Sequence, residues 1–485
     1  MSQRYFLTSV LIVALIPATA QLPTLLRDIN PSGGSSIRGI TCVNGLVYFS
    51  ADDGTHGAEP WVSDGTTAGT VLLKDINPGT GSSAPSGFVS WQGRVYFAAD
   101  NGVDGQQLWS TDGTEAGTWL ELDIEPVNDY FGVAQMAVLN DLLVFQGTSV
   151  ANGIELWVTD GTLAGTVMLK DIYPGAGSSR PTKFTLYNGL LYFSAITPEL
   201  GEELWVSDGT EAGTVLVMDI KPGTGSGSPR SFAVANGLLF FQGTDLGVNS
   251  ELWATDGTSV GTYMVKDILT GANGSSPQYL ESFNGEVWFQ AYGGSQAKLW
   301  HSDGTEAGTQ VLPDPTPSFN SPYYMTAHHG NLYFLAYLQS YKQLWKSDGT
   351  SAGSAPVLQP GSSVNDPLML SMSMASCGDL VFYQATYDYA FGEELYALYQ
   401  PSVGIAEQAA PDRDRLYPNP ATDQLFMTDM PNRATLRLYA SNGALALETD
   451  VHNMAIGALP AGLYLARITA PDGMLLHVQP VMKEF

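Results

Sequence analysis

Leu204-Trp205-Val206-Ser207-Asp208-Gly209-Thr210-Glu211-Ala212-Gly213-Thr214 is one of seven near-copies of the phrase LWxSDGTxAGT in this chain. The tryptophans of the copies are Trp61, Trp109, Trp157, Trp205, Trp253, Trp300 and Trp345, spaced by 48, 48, 48, 48, 47 and 45 residues. A fixed period of this size marks an array of one supersecondary unit. One unit reads as follows. Asn44-Gly45 is a hairpin turn in which both residues take positive φ. Leu46-Val47-Tyr48-Phe49 is apolar on both faces, as a strand is when its sheet is covered twice. Pro60-Trp61-Val62 is a second strand, ended by Asp64-Gly65, with Thr66 and Thr70 placed to bond nearby backbone. Val71-Leu72-Leu73-Lys74-Asp75-Ile76 is a third, broken by Pro78-Gly79-Thr80-Gly81-Ser82-Ser83. Gly87-Phe88-Val89-Ser90-Trp91 is a fourth, and Gln92-Gly93 restarts the cycle. Four short antiparallel strands without a helix describe a propeller blade, and the repeated Trp is its blade-to-blade packing residue.

The strands are lettered a to d, with Trp on c and Asp-Gly between c and d. Eight b strands are legible, at Leu46, Val95, Leu142, Leu190, Leu238, Val287, Leu332 and Leu380. A degenerate eighth c strand, Glu394-Leu395-Tyr396, follows the seven Trp segments. It has no d strand after it. One stands instead at the other end of the chain, Leu25-Leu26-Arg27-Asp28-Ile29, followed by the loop Asn30-Pro31-Ser32-Gly33-Gly34-Ser35-Ser36. The expectation is an all-β, eight-bladed β-propeller over residues 21–400, closed by an N-terminal strand that removes the open edges. An open solenoid would need polar end caps, and none is visible. Cys42 and Cys377 precede the a–b turns of blades 1 and 8, which are neighbours only in a closed ring. The two readings are a disulfide stapling the closure and two unrelated buried thiols.

Formal charge is −28, from 48 acidic and 20 basic residues. Such a surface repels phosphate backbones, so nucleic acid is not an expected partner. The acidic residues are dispersed and read as solubilising. Residues 1–20 read as a signal peptide, with Arg4 as the basic flank, an apolar stretch from Phe6 to Ile16 and Ala18-Thr19-Ala20 as the cleavage site. No later run reaches the roughly 20 apolar residues of a spanning helix. Export places the two cysteines where a disulfide persists.

In a propeller the a–b and c–d turns share one face, and here they are uniform. The b–c loops on the other face vary, and binding residues concentrate on variable loops held by a rigid scaffold. Tyr292, Tyr337, Tyr341, Tyr387, Tyr389 and Phe391 of blades 6 to 8 are therefore the candidate ligand-binding residues, as rings that stack on sugars or peptides. The alternative is that they pack the loops onto each other. No catalytic constellation accompanies them. GxSxG, a Walker loop and HExxH are absent, and His328-His329 has no carboxylate ligand nearby in sequence. The SxDGT turns resemble the Asp-box of sialidases, a structural turn, but the propeller arginines (Arg27, Arg38, Arg94, Arg180 and Arg230) all read as lying in blades up to the d–a loop before blade 5, against a convergent triad. Glu202-Glu203 and Glu393-Glu394 are adjacent carboxylates whose side chains face opposite ways on a strand. No metal site and no cofactor is expected.

From residue 401 the repeat stops. Residues 401–415 read as a linker and 416–485 as a small β domain. Leu416-Tyr417-Pro418-Asn419-Pro420-Ala421-Thr422-Asp423 resembles the opening YPNPxxD motif of the type IX secretion C-terminal sorting domain. Leu459 to Ile468, with Gly462 and Tyr464, is similar to that family's LPxGxYxxRI motif, and Asn442-Gly443 stands at its hairpin. The resemblance implies a β-sandwich sorting domain, with Pro418, Asn419, Pro420, Gly462 and Tyr464 as its motif residues. It also implies a Bacteroidota-type cargo that passes through the periplasm to the type IX translocon and ends secreted or attached to the outer-membrane surface. The repeats resemble the ELWxxDGT family of bacterial exported proteins, which implies the fold alone. The function expected from all this is an exported binding or scaffold protein whose ligand is a glycan or a protein. The other expectation is a secreted polysaccharide-active hydrolase or lyase on a propeller scaffold.

Overall fold

A computed structural model describes residues 22–122, 132–245, 247, 250–271, 274–338, 341–357, 373–388, 390–400, 435–440, 445–450, 455–456, 458–460, 462–469 and 475–483. Among these residues there are strands and turns and no helix, so no helix is long and apolar enough to cross a membrane. The chain divides into two compact units, Met1–Ser402 and Val403–Phe485.

The first unit is an eight-bladed propeller. Blade 1 is the antiparallel sheet Arg38–Val43, Leu46–Asp52, Ala58–Ser63 and Val71–Leu72, and six further blades repeat this order. The eighth combines Met374–Cys377, Leu380–Ala385 and Glu394–Tyr399 with Thr24–Leu25 from the start of the chain. Thr24 pairs with Ala397 and Leu25 with Tyr396. Each inner strand touches the inner strands of both neighbouring blades, including Arg38–Val43 against Met374–Cys377, so the ring is closed. Apolar clusters lie between blades rather than within them. One joins Val43, Tyr48, Val62 and Ile76 of blade 1 to Phe88, Phe97 and Trp109 of blade 2. Another joins Leu26, Ile29, Phe382 and Leu395 of blade 8 to Phe49 and Trp61 of blade 1. This double coverage is why Val47, Tyr48, Phe49, Ser50 and Ala51 are all buried although they alternate between faces.

The d strands are shorter than the sequence predicts. Val71–Leu72 ends before Asp75-Ile76, and Thr24–Leu25 before Asp28-Ile29. Beyond the d strand of blades 1, 3, 4, 5 and 8, the backbone donors go to a buried glutamate at the head of the c strand. Glu59 accepts from the N–H of Ile76 at 2.9 Å, Asn77 at 3.3 Å and Ser83 at 3.0 Å, and from the Ser83 hydroxyl at 2.6 Å. Glu155 repeats this with Ile172, Tyr173 and Ser179, and Glu251 with Ile268, Leu269 and Ser275. Glu203 holds Ile220, Lys221 and Gly227. Glu394 does the same across the ring closure, accepting from the N–H of Ile29 at 3.1 Å and Asn30 at 3.2 Å. A second repeated link crosses that seam too. Lys74, Lys170 and Lys266 each donate to a threonine carbonyl in the next blade, and Arg27 donates to the Thr70 carbonyl at 2.8 Å. The seam thus uses the same bonds as the continuous blades. Beside it, Cys42 and Cys377 form a disulfide with Cα atoms 5.4 Å apart, spanning 335 residues of sequence.

The c–d turns explain their own sequence. Asp64 Oδ1 accepts from the Thr66 N–H and hydroxyl, the Thr66 hydroxyl accepts from the Gly69 N–H, and the Thr70 hydroxyl donates to the Thr66 carbonyl. Gly65 sits at φ 88°, where a side chain is strained. A Cβ on Gly69 would lie 2.0 Å from Asp64 Oδ1, which is why the second glycine recurs.

The described part of the second unit is a four-stranded antiparallel sheet ordered Leu445–Asp450, Thr435–Ala440, Gly462–Thr469, Leu475–Lys483. Tyr464 is buried and donates to the Pro460 carbonyl at 2.9 Å, and Gly462 opens the third strand in sequence. The signal peptide, the linker and Pro418, Asn419 and Pro420 lie outside the described residues.

Candidate functional site

The turn face of the ring is occupied with its own bonds. Gln92, Asn140, Asn236 and Asn284 of the a–b turns each donate to the carbonyl of the c–d turn aspartate in the next blade. His328 belongs here as well: it is buried, its Nδ1 lies 2.8 Å from Ser376 Oγ, and its Nε2 lies 2.7 Å from the Gln400 carbonyl. Burial holds its pKa below the ordinary range. It is a tie between blades 7 and 8.

On the opposite face the predicted aromatic residues separate. Tyr292, at the end of the blade 6 b strand, is 43% exposed, Tyr341 of blade 7 is 41% exposed, and Phe391 of blade 8 is 36% exposed. Tyr387 is a correction: it is buried, with its hydroxyl 3.0 Å from that of Tyr383 and its ring 4.9 Å from Tyr396, so it packs blade 8. Tyr389 lies outside the described residues. Tyr337 is half-buried and joins a group the sequence reading missed.

That group comes from the inner strands. Tyr279 stands on Gln278–Phe283 of blade 6, and Tyr323 and Tyr324 on Asn320–His328 of blade 7. Their ring centroids are 4.8 Å (Tyr279–Tyr324), 5.3 Å (Tyr323–Tyr324) and 6.3 Å (Tyr323–Tyr337) apart. Lys342 Nζ stands 6.0 Å from the Tyr323 ring and 5.8 Å from that of Tyr337, within cation–π reach. Burial and the Tyr324 hydroxyl push the Tyr279 phenol up to about 12. Tyr279 and Tyr324 occupy a bulge with φ of 56° and 50°. The corresponding bulges hold Gly39 and Gly87 in blades 1 and 2, and Gln135, Lys183 and Ser231 in blades 3 to 5. A bulge re-aims a side chain, and a bulky residue at positive φ is a strained choice. In sequence only the doublet Tyr323-Tyr324 marks this group, since no periodicity announces a bulge.

Blade 6 departs from the repeat a second time. Lys298 stands where the clamp glutamate would be, and its Nζ pairs with Asp314 at 2.7 and 3.0 Å. The connection to the next inner strand is residues 312–319, against 73–85 in blade 1. With the clamped loop gone, a groove of about 430 Å³ opens beside Trp300, walled by residues 293–296 and 311–314. Trp300 is half-buried, as Trp157 of blade 3 is, whereas Trp61, Trp109, Trp205, Trp253 and Trp345 are buried.

The paired carboxylates are not an acid–base pair. Glu203 and Glu394 are clamps, while Glu202 turns the other way and accepts from the Ser194 hydroxyl at 2.7 Å. Arg27 and Arg94 are committed to neighbouring turns through the Thr70 and Gly117 carbonyls. Among the described residues no group of three or more His, Cys, Asp or Glu side chains is placed to hold a metal.

Comparison with protein-family models finds no match, and comparison with curated proteins finds none. Solved structures with similar folds include a Mycobacterium tuberculosis puromycin-hydrolysing peptidase, at 11% identity and TM-score 0.45, covering 76% of this chain and 61% of that one. Another is PorZ, a bacterial surface component of the type IX secretion system of Porphyromonas gingivalis, at 13% identity and TM-score 0.30, covering 93% and 75%. A third is the β-propeller domain of the Trilobed protease from Pyrococcus furiosus, at 10% identity and TM-score 0.38, covering 75% and 95%. The chain thus spans less than two thirds of the puromycin hydrolases it matches. At these scores no property of those proteins transfers to this chain.

Proposed function

We propose that this chain is an exported, non-enzymatic binding scaffold that presents the b–c face of blades 6 and 7 to a glycan or protein ligand. One observation carries the reading. The inner strands and b–c loops of blades 6 and 7 gather exposed and half-buried rings, Tyr279, Tyr292, Tyr323, Tyr324, Tyr337 and Tyr341, on the face opposite the bonded turns. Rings on a rigid frame offer large contact area at little conformational cost. Residues 1–20 serve as the export signal, and residues 416–485 as a type IX sorting domain that delivers the propeller to the cell surface or the medium.

A glycan and peptide array, run beside turnover assays on the same polysaccharides, tests the binding reading. Binding without turnover is expected. Release of shortened products by the pure protein overturns it and makes the chain a hydrolase or lyase. The address is tested separately by deleting residues 416–485: the propeller should remain in the periplasm, and normal surface display of the truncated chain refutes the sorting role.

A further inference from the structure

The Lys298-for-glutamate exchange gives the blade 6 groove a definite chemistry. In blades 1, 3, 4 and 5 this space is closed by a loop that the clamp glutamate holds down. In blade 6 the loop is short, the indole of Trp300 is partly uncovered, and an ammonium and a carboxylate stand together at its rim. Building on the binding-scaffold reading, we propose that this groove holds one sugar ring of an uncharged polysaccharide, with Trp300 under its C–H face and Lys298 and Asp314 on its hydroxyls.

The match is chemical. A pyranose has one apolar face and a rim of hydroxyls, each both donor and acceptor. Trp300 supplies the platform, Lys298 supplies donors only, and Asp314 supplies acceptors only. Two neighbouring hydroxyls satisfy both without separating them. A polyanion would meet the Asp314 carboxylate at the rim and the −28 charge of the chain. An apolar peptide side chain would cover the pair without offering it new partners, at a desolvation cost. Two glycines beside the indole leave the groove open. Gly293 cannot carry a Cβ, which would lie 2.6 Å from Trp300 Cζ2, and a Cβ on Gly294 would meet nothing within 4 Å. About 430 Å³ lies within the usual range of small-molecule sites.

The test is calorimetric titration of the mature protein with neutral hexaoses of β-1,4-glucan, β-1,3-glucan, α-1,4-glucan and β-1,4-mannan, with polygalacturonate hexamer and an alanine-rich hexapeptide as counter-probes. At least one neutral hexaose should bind. Gly294→Phe, which fills the groove from a position facing open space, should weaken it at least tenfold with an unchanged melting temperature. Lys298→Met should weaken it about tenfold, the loss expected for a hydrogen bond to a charged group. Val260→Ala, fully exposed in the c–d turn of blade 5 on the opposite face, should leave it unchanged. Undiminished binding by Gly294→Phe overturns the site while leaving the scaffold reading intact. Failure of every neutral hexaose, or preference for the polygalacturonate or the peptide, overturns the ligand class. Cleavage of a bound hexaose overturns the non-enzymatic reading but keeps the site.

Discussion

Glu203 shows what one residue does in this architecture. Its carboxylate is fully buried and its acceptors are filled by three backbone N–H groups of the d–a loop. Burial lifts its pKa to about 7, against the pull of those donors. Gly227 stands where blades 1, 3 and 5 have a serine hydroxyl as an extra donor. The folded pKa is raised above the unfolded one, so the folded chain holds the proton more tightly. The stability from this group is complete below about pH 4.5 and is lost as pH rises towards 7. In thermal melts across this window the wild type should therefore lose stability relative to Glu203→Gln as pH rises, whereas a constant gap between them would remove the linkage. Glu155→Gln is a sharper test of the clamp itself. It turns an amide N–H₂ towards backbone donors and should cost about 1–3 kcal/mol in denaturant unfolding. A neutral effect would mean that the loop is held by packing alone.

At the scale of the element, the c–d turn is the most legible part of the molecule and the a strand the least. Every residue of Asp64-Gly65-Thr66 and Gly69-Thr70 has a bond or a steric reason to be what it is. Gly69→Ala is accordingly expected to destabilise by about 2 kcal/mol, since the Asp64 carboxylate must leave its turn, and an unaltered melting temperature would contradict that geometry. The blade count, the strand order and the closing strand were also readable, because seven copies of a phrase average out local ambiguity. Two things were not. The clamp glutamate was visible in the repeat as Glu-Leu-Trp, but its partners lie 17 to 24 residues away, on a loop whose backbone carries no sequence label. The bulges at Tyr279 and Tyr324 break the two-residue alternation on which strand reading depends. They were hidden for that reason, and with them the aromatic patch between blades 6 and 7. Tyr387 erred the other way: an aromatic residue in a variable loop reads as exposed, yet it turns in to fill blade 8.

For the whole molecule, closure is the decisive event, and both chain ends of the propeller meet in one blade. Removing residues 22–30 deletes the outer strand of blade 8, the Glu394 partners and the Arg27 link together. The expected result is self-association through the bared edge, and a soluble, monomeric, equally stable deletion would refute the closure as an energetic feature. Reducing the Cys42–Cys377 bond should lower the melting temperature, since a crosslink over 335 residues removes on the order of 5 kcal/mol of chain freedom from the unfolded state. The same bond has a mechanical consequence. A pull that enters at Gln400 arrives on the blade 8 strand that is hydrogen-bonded to Thr24–Leu25, so the ring would peel at its seam first. With the crosslink intact, only the stretches outside residues 42–377 can be drawn out, and the remaining loop stays tethered as a unit. Such a ring, held to a surface by its tail, would give by a short, fixed length under drag and then bear the load through a covalent bond.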